Sequence, residues 1–183
     1  AAIQEILIKS ASDLISLDNP NYQYVAARLL LYAIRKSLYG RLWELPHLYD
    51  HITDCVKKEV YDADVLVKYS KEEIEILNDI IDHDRDFLFT YAGLRQVADK
   101  YLVQDRSSGQ VYETPQFMYL LIAMTIFADY PKETRIDYVT RYYAAISKHK
   151  INIPTPIMGG VRTPLRQFAS CVLVDADDTL DSI

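Results

Sequence analysis

The sequence predicts a mainly α fold with one small β-hairpin and a single late strand. Three observations carry that prediction. Apolar residues recur at three- and four-residue spacing over most of the chain, helix-length stretches are punctuated by proline, glycine and capping residues, and the pattern stops after His149.

The elements follow in order. Ile3, Ile6, Leu7, Leu14 and Ile15 share one helical face, and Asn19-Pro20 is expected to end that helix. Tyr22–Leu38 reads as a second helix, apolar on most sides and closed at Tyr39-Gly40 by a residue free to adopt a left-handed turn. Leu45–Val60 follows Trp43 with Pro46 in its first turn. Ser70-Lys-Glu-Glu73 is a capping-box signature for a helix through Ile81, and Phe87–Lys100 has the spacing of another. Tyr101-Leu-Val-Gln and Gln110-Val-Tyr-Glu flank Asp105-Arg-Ser-Ser-Gly109, a hairpin pattern with a glycine turn. Thr114-Pro115 supplies a cap and first-turn proline for an apolar helix ending near Ala128. Pro131 starts a helix whose stripe is Ile136, Val139, Tyr142, Tyr143 and Ile146. Beyond it, Pro154, Pro156, Gly159, Gly160 and Pro164 forbid a long helix, and Phe168–Val174 is the best strand candidate.

Composition narrows the function classes. A chain of 183 residues, half hydrophobic and with only five glycines, can bury one substantial core. Its net charge of −6 and scattered basic residues give no electrostatic footprint for nucleic acid. Glu5, Lys9 and Asp13 break any signal-peptide pattern, and the apolar run Phe117–Ala128 is too short to span a membrane. Two cysteines, Cys55 and Cys171, do not make a disulfide scaffold, so reduced thiols and a cytoplasmic setting are expected. The chain starts without methionine in helical periodicity and stops just after a helix start, which predicts a fragment.

Several residues are chemical candidates, each with a plainer structural role. Cys171 lies mid-strand between Ser170 and Val172, where a thiol serves redox chemistry or simply packs as a small hydrophobe. Thr155 suits a turn cap and Ser170 a local backbone hydrogen bond. Asp178, followed by Thr179 and Leu180, has the form of a helix cap. Lys36 follows Arg35 near a helix end, where a cation complements the dipole. Asp82-His83-Asp84-Arg85-Asp86 has carboxylates and a histidine, but adjacent helical residues diverge, so capping and salt bridges are expected rather than a metal. Cys55 and most of the fifteen tyrosines sit on helical stripes as packing residues.

Asp18-Asn-Pro-Asn-Tyr-Gln-Tyr-Val-Ala-Ala-Arg28, Ile81-Asp-His-Asp-Arg-Asp86, Tyr101-Leu-Val-Gln104 and Tyr112-Glu-Thr-Pro-Gln-Phe117 are followed by Pro154-Thr-Pro-Ile-Met158, Arg162-Thr-Pro164 and Gln167-Phe-Ala-Ser-Cys-Val172. Together these runs resemble the N-terminal part of the class I ribonucleotide reductase large (alpha) subunit. The resemblance implies residues 1–40 as a remnant of a regulatory ATP cone, 41–150 as a helical domain, and 151–183 as the start of a ten-stranded α/β barrel.

It also implies reduction of ribonucleoside diphosphates by radical and dithiol chemistry, with this fragment inactive alone. Cys171 would be one of two reducing thiols, its partner lying downstream. Thr155 and Ser170 would contact the substrate diphosphate. Asp178, Thr179 and Leu180 would meet an allosteric deoxynucleotide (dNTP), and Lys36 the activator ATP. The implied partners are a small (beta) subunit bearing the metal-radical cofactor, thioredoxin or glutaredoxin, and a second alpha chain in a homodimer. Here Ala169 stands where many relatives have serine. Without the resemblance, the same residues describe a non-catalytic helical interaction module with Cys171 buried.

Overall fold

A computed structural model describes residues 2–165, 167–173 and 175. Its helices are α1 (Ala2–Asp13), α2 (Tyr22–Tyr39), α3 (Leu48–Lys57), α4 (Asp64–Lys68), α5 (Lys71–Ile80), α6 (Tyr91–Lys100), α7 (Pro115–Ile126), α8 (Lys132–Ser147) and α9 (Thr155–Gly160). A 3₁₀ helix covers His83–Leu88. The strands β1 (Gln104–Asp105) and β2 (Gln110–Val111) pair antiparallel, Gln104 opposite Val111. The mainly α class and the hairpin are as expected.

α7 is the centre. Pro115 through Met124 are all buried, so this helix is enclosed on every side. α8 packs along it, and α5 packs on both α3 and α8. α2 lies against α6 and the 3₁₀ helix and carries α1 on its outer side. Ile3, Ile6 and Leu7 of α1, and Leu14 just after it, remain exposed. Among the described residues no helix is long and apolar enough to cross a membrane.

Local chemistry sets the boundaries. Gly40 closes α2 at φ 68°, its N–H donating to the Lys36 carbonyl, a left-handed position that costs other residues about 1 kcal/mol. Ser70 Oγ accepts from the Glu73 amide while the Glu73 carboxylate accepts from the Ser70 amide, completing the expected capping box. That carboxylate also binds the Arg135 guanidinium of α8, so one residue caps α5 and ties it to α8.

Four expectations need correction. α1 ends at Asp13, well before Asn19-Pro20; Pro20 instead precedes the start of α2. The helix expected over Leu45–Val60 begins only at Leu48, where the Asn78 side chain accepts from the Leu48 amide. The helix expected over Phe87–Lys100 is two pieces, because Phe89 and Thr90 are extended and Thr90 Oγ1 accepts from the Gly93 amide to start α6. Finally, residues 167–173 form no strand, and Phe168, Val172 and Leu173 are exposed; Val174 lies outside the described residues. A strand needs a neighbour to accept and donate its backbone hydrogen bonds, and β1 and β2 pair only with each other.

Candidate functional site

The candidate site sits where the chain leaves the helical body through α9. What fixes α9 is an ion pair that no local pattern announces. Arg162 and Glu113 are both fully buried, and the guanidinium binds the carboxylate through Nε and Nη2. Arg162 Nη1 donates to the Met158 carbonyl at 2.6 Å and Nη2 to the Tyr101 carbonyl at 2.8 Å. Its own carbonyl accepts from the Asp62 amide at 3.0 Å. Glu113 in turn accepts from the Tyr61 hydroxyl and, at 2.7 Å, from the Val103 amide. Buried charges persist only when their hydrogen-bonding positions are filled, and here four groups converge on one carboxylate–guanidinium pair.

Thr155 opens α9 on Pro154, so it is the first helical residue and not the cap expected of it. Its exposed hydroxyl lies 3.2 Å from the Tyr101 hydroxyl. Beside this pair opens a cleft of about 430 Å³, lined by Thr90, Gln96, Tyr101, Tyr119, His149 and Met158 among others. His149 takes a left-handed backbone at φ 55° as the chain leaves α8, and its ring tilts over Phe89 at 4.7 Å.

Downstream, the chain folds back far enough for the Phe168 ring to lie over Gly160, where an added Cβ would stand 3.5 Å from it. Ser170 and Cys171 are both exposed, and Ser170 Oγ donates to Cys171 Sγ at 3.8 Å rather than to backbone. The picture of Cys171 as a buried packing residue is therefore overturned. The Thr155 and Ser170 hydroxyls each have a partner, but on separate segments: the Tyr101 hydroxyl for one, the Cys171 sulfur for the other.

Lys36 is exposed near the end of α2, next to Arg35, which is buried and paired with Asp86 at 3.1 Å. Asp178, Thr179 and Leu180 lie outside the described residues. The acidic run behaves as a cap and a set of salt bridges. Asp82 accepts from the Asp84 amide and from Arg85, while Asp86 accepts from Arg35 and Gln116. No cluster of three or more histidine, cysteine or carboxylate groups suited to a metal occurs among the described residues.

Cys55 is buried with Sγ 3.6 Å from the Tyr112 carbonyl, and burial lifts its thiol to about 12. A thiol held so far from ionisation is a packing group, as its helical position suggested. Sequence reasoning missed Arg162, Glu113 and Tyr101 as site residues. Forty-nine positions separate Arg162 from Glu113, and only the fold brings them together.

Comparison with known proteins bears on all of these residues. The family model described as the ribonucleotide reductase all-alpha domain matches residues 87–166. Over 181 residues, 99% of this chain, the sequence is 54% identical to the ribonucleoside-diphosphate reductase subunit alpha of Haemophilus influenzae. It is 52% identical to the ribonucleoside-diphosphate reductase 1 subunit alpha of Escherichia coli and 50% to the subunit alpha of Enterobacteria phage T4, over the same share of this chain. The chain spans 24% of the length of each of these curated relatives.

Proposed function

We propose that the chain belongs to the ribonucleotide reductase alpha-subunit family and forms an N-terminal segment, about a quarter of the length, of an enzyme reducing ribonucleoside diphosphates to deoxyribonucleoside diphosphates. The observation that carries the proposal is sequence identity of 54% across 99% of the chain, a stretch that includes the run from Thr155 to Cys171. In this reading Thr155 and Ser170 donate to phosphate oxygens of the substrate. Cys171 and a second cysteine outside this chain supply the electrons. Two thiols become one disulfide, the 2′ hydroxyl leaves as water, and a C–H bond replaces the C–O bond. The disulfide must later exchange with an external dithiol such as thioredoxin or glutaredoxin.

The regulatory assignments belong to the same proposal. Residues 1–40 would be the remainder of an ATP cone with Lys36 at a nucleotide phosphate, 41–150 the helical domain, and 151–183 the start of the barrel. Asp178, Thr179 and Leu180 would read an allosteric deoxynucleotide. A small beta subunit would hold the class I metal-radical centre, and a second alpha chain would complete a homodimer in the cytoplasm.

The decisive experiment replaces Cys171 by serine in the full-length alpha subunit, assayed with its small subunit and a dithiol reductant. Serine cannot form the disulfide, so multiple-turnover formation of deoxynucleotide is expected to vanish while nucleoside diphosphate still binds. Sustained turnover by Cys171→Ser would refute the assignment.

A further inference from the structure

A hydroxyl carries one proton and can donate only once. A phosphate oxygen at neutral pH only accepts. If Thr155 is to donate to a phosphate, as the reading above requires, its proton must point at the ligand, and its oxygen is then left to accept from something else. The group in place is the Tyr101 hydroxyl, 3.2 Å away. We infer that Tyr101 is a positioning residue: its O–H donates to Thr155 Oγ1 and turns the single Thr155 proton outward, toward the phosphate end of a nucleoside diphosphate.

The way Tyr101 is held supports this role. One guanidinium, that of Arg162, takes the Tyr101 carbonyl through Nη2 and the Met158 carbonyl of α9 through Nη1. The backbones beneath the two hydroxyls are therefore fixed relative to each other by a single rigid, planar group. Arg162 is itself locked by Glu113 and cannot drift without breaking a buried ion pair. Such an arrangement spares the hydroxyl pair from being ordered at the moment of binding. Tyr101 sits at the end of α6, on a different element from every residue assigned to the substrate by resemblance, and its hydroxyl meets that of Thr155.

The inference rests on the assignment of Thr155 to the phosphate, and the experiment separates the two. Tyr101→Phe, Thr155→Val and the double variant are compared in the full-length alpha subunit with its small subunit, with cytidine diphosphate as substrate. Tyr101→Phe keeps the ring and removes only the hydroxyl. Its KM is expected to rise about fivefold to tenfold with kcat little changed, the size of one charge-assisted hydrogen bond weakened but not abolished. In the Thr155→Val background the same change should have no further effect, because the proton it aims is gone. An unchanged KM in Tyr101→Phe alongside a raised KM in Thr155→Val would overturn the positioning role and leave the wider reading intact. Additive effects in the double variant, or a fall in kcat accompanied by a lower melting temperature, would overturn it too. If Thr155→Val itself leaves KM unchanged, the phosphate assignment falls and takes the inference with it.

Discussion

Residue by residue, the interior holds several groups whose protonation is set by burial. His51 has its ring 4.0 Å from that of Phe117, with Nε2 3.1 Å from the Tyr61 hydroxyl. Tyr61 already donates to Glu113, so His51 must supply the hydrogen to the Tyr61 oxygen, which assigns its neutral tautomer from the network. Burial lowers His51 to about 3 and His83 to about 4, against an ordinary histidine near 6.5. A depressed histidine gives stability that is complete above its unfolded value and is lost as pH falls toward the folded one, since the unfolded chain takes up the proton first. Asp86 has the opposite sign. Burial raises it to about 6 despite Arg35 and Gln116, so its contribution is lost as pH rises through that value and regained as pH falls. Two histidines oppose one carboxyl. The melting temperature is therefore expected to drop by several degrees between about pH 6.5 and 4.5, and His51→Phe should flatten that slope. Thermal melts across this range check it; a wild-type melting temperature that holds constant or rises on acidification would contradict the balance.

Elements with their own terminal signals were the most legible in the sequence. Ser70 with Glu73 and Gly40 after Tyr39 are local, and the structure uses both as read. The misreadings fall where a boundary depends on distant residues: the Asn78 side chain at the start of α3, and the extended Phe89-Thr90 break that turns one predicted helix into two. Thr114 is an instructive mixture. It occupies the cap position before Pro115, as its sequence suggests, yet its hydroxyl makes no capping bond and is buried without a partner. The two capping residues should consequently respond in opposite ways. Ser70→Ala removes an observed cap and is expected to destabilise the protein by about 1 kcal/mol. Thr114→Val keeps the shape while removing an unsatisfied polar atom, and is expected to be neutral or stabilising. Denaturant titrations of the two variants side by side provide the measurement. A loss at Thr114→Val equal to that at Ser70→Ala would mean that its hydroxyl has a partner after all.

At the scale of the whole molecule, the sequence revealed chemical identities in the candidate site without their mutual placement. Thr155, Ser170 and Cys171 were nameable from a short run of residues. Phe168–Val174 has the composition of a buried strand, but a strand is a relation between segments, and the described chain offers this one no ladder to join. Long-range placement depends instead on the Glu113–Arg162 pair, which joins the segment after the hairpin, the Tyr101 backbone, the Asp62 loop and α9 around one buried charge pair. Such a pair adds little over a well-packed apolar substitute, but removing one partner leaves the other charged and buried. Glu113→Gln makes this distinction measurable, since it preserves shape while removing the countercharge to Arg162 and one of the two acceptor oxygens. It is expected to destabilise the protein by about 3 kcal/mol in denaturant titration. Because Glu113 accepts the Val103 amide and Arg162 the Asp62 amide, both N–H groups should also exchange with solvent much faster, ahead of amides within α7. A variant with native stability and unchanged exchange at these two amides would show that α9 is held by its apolar contacts with α7 and not by the buried pair.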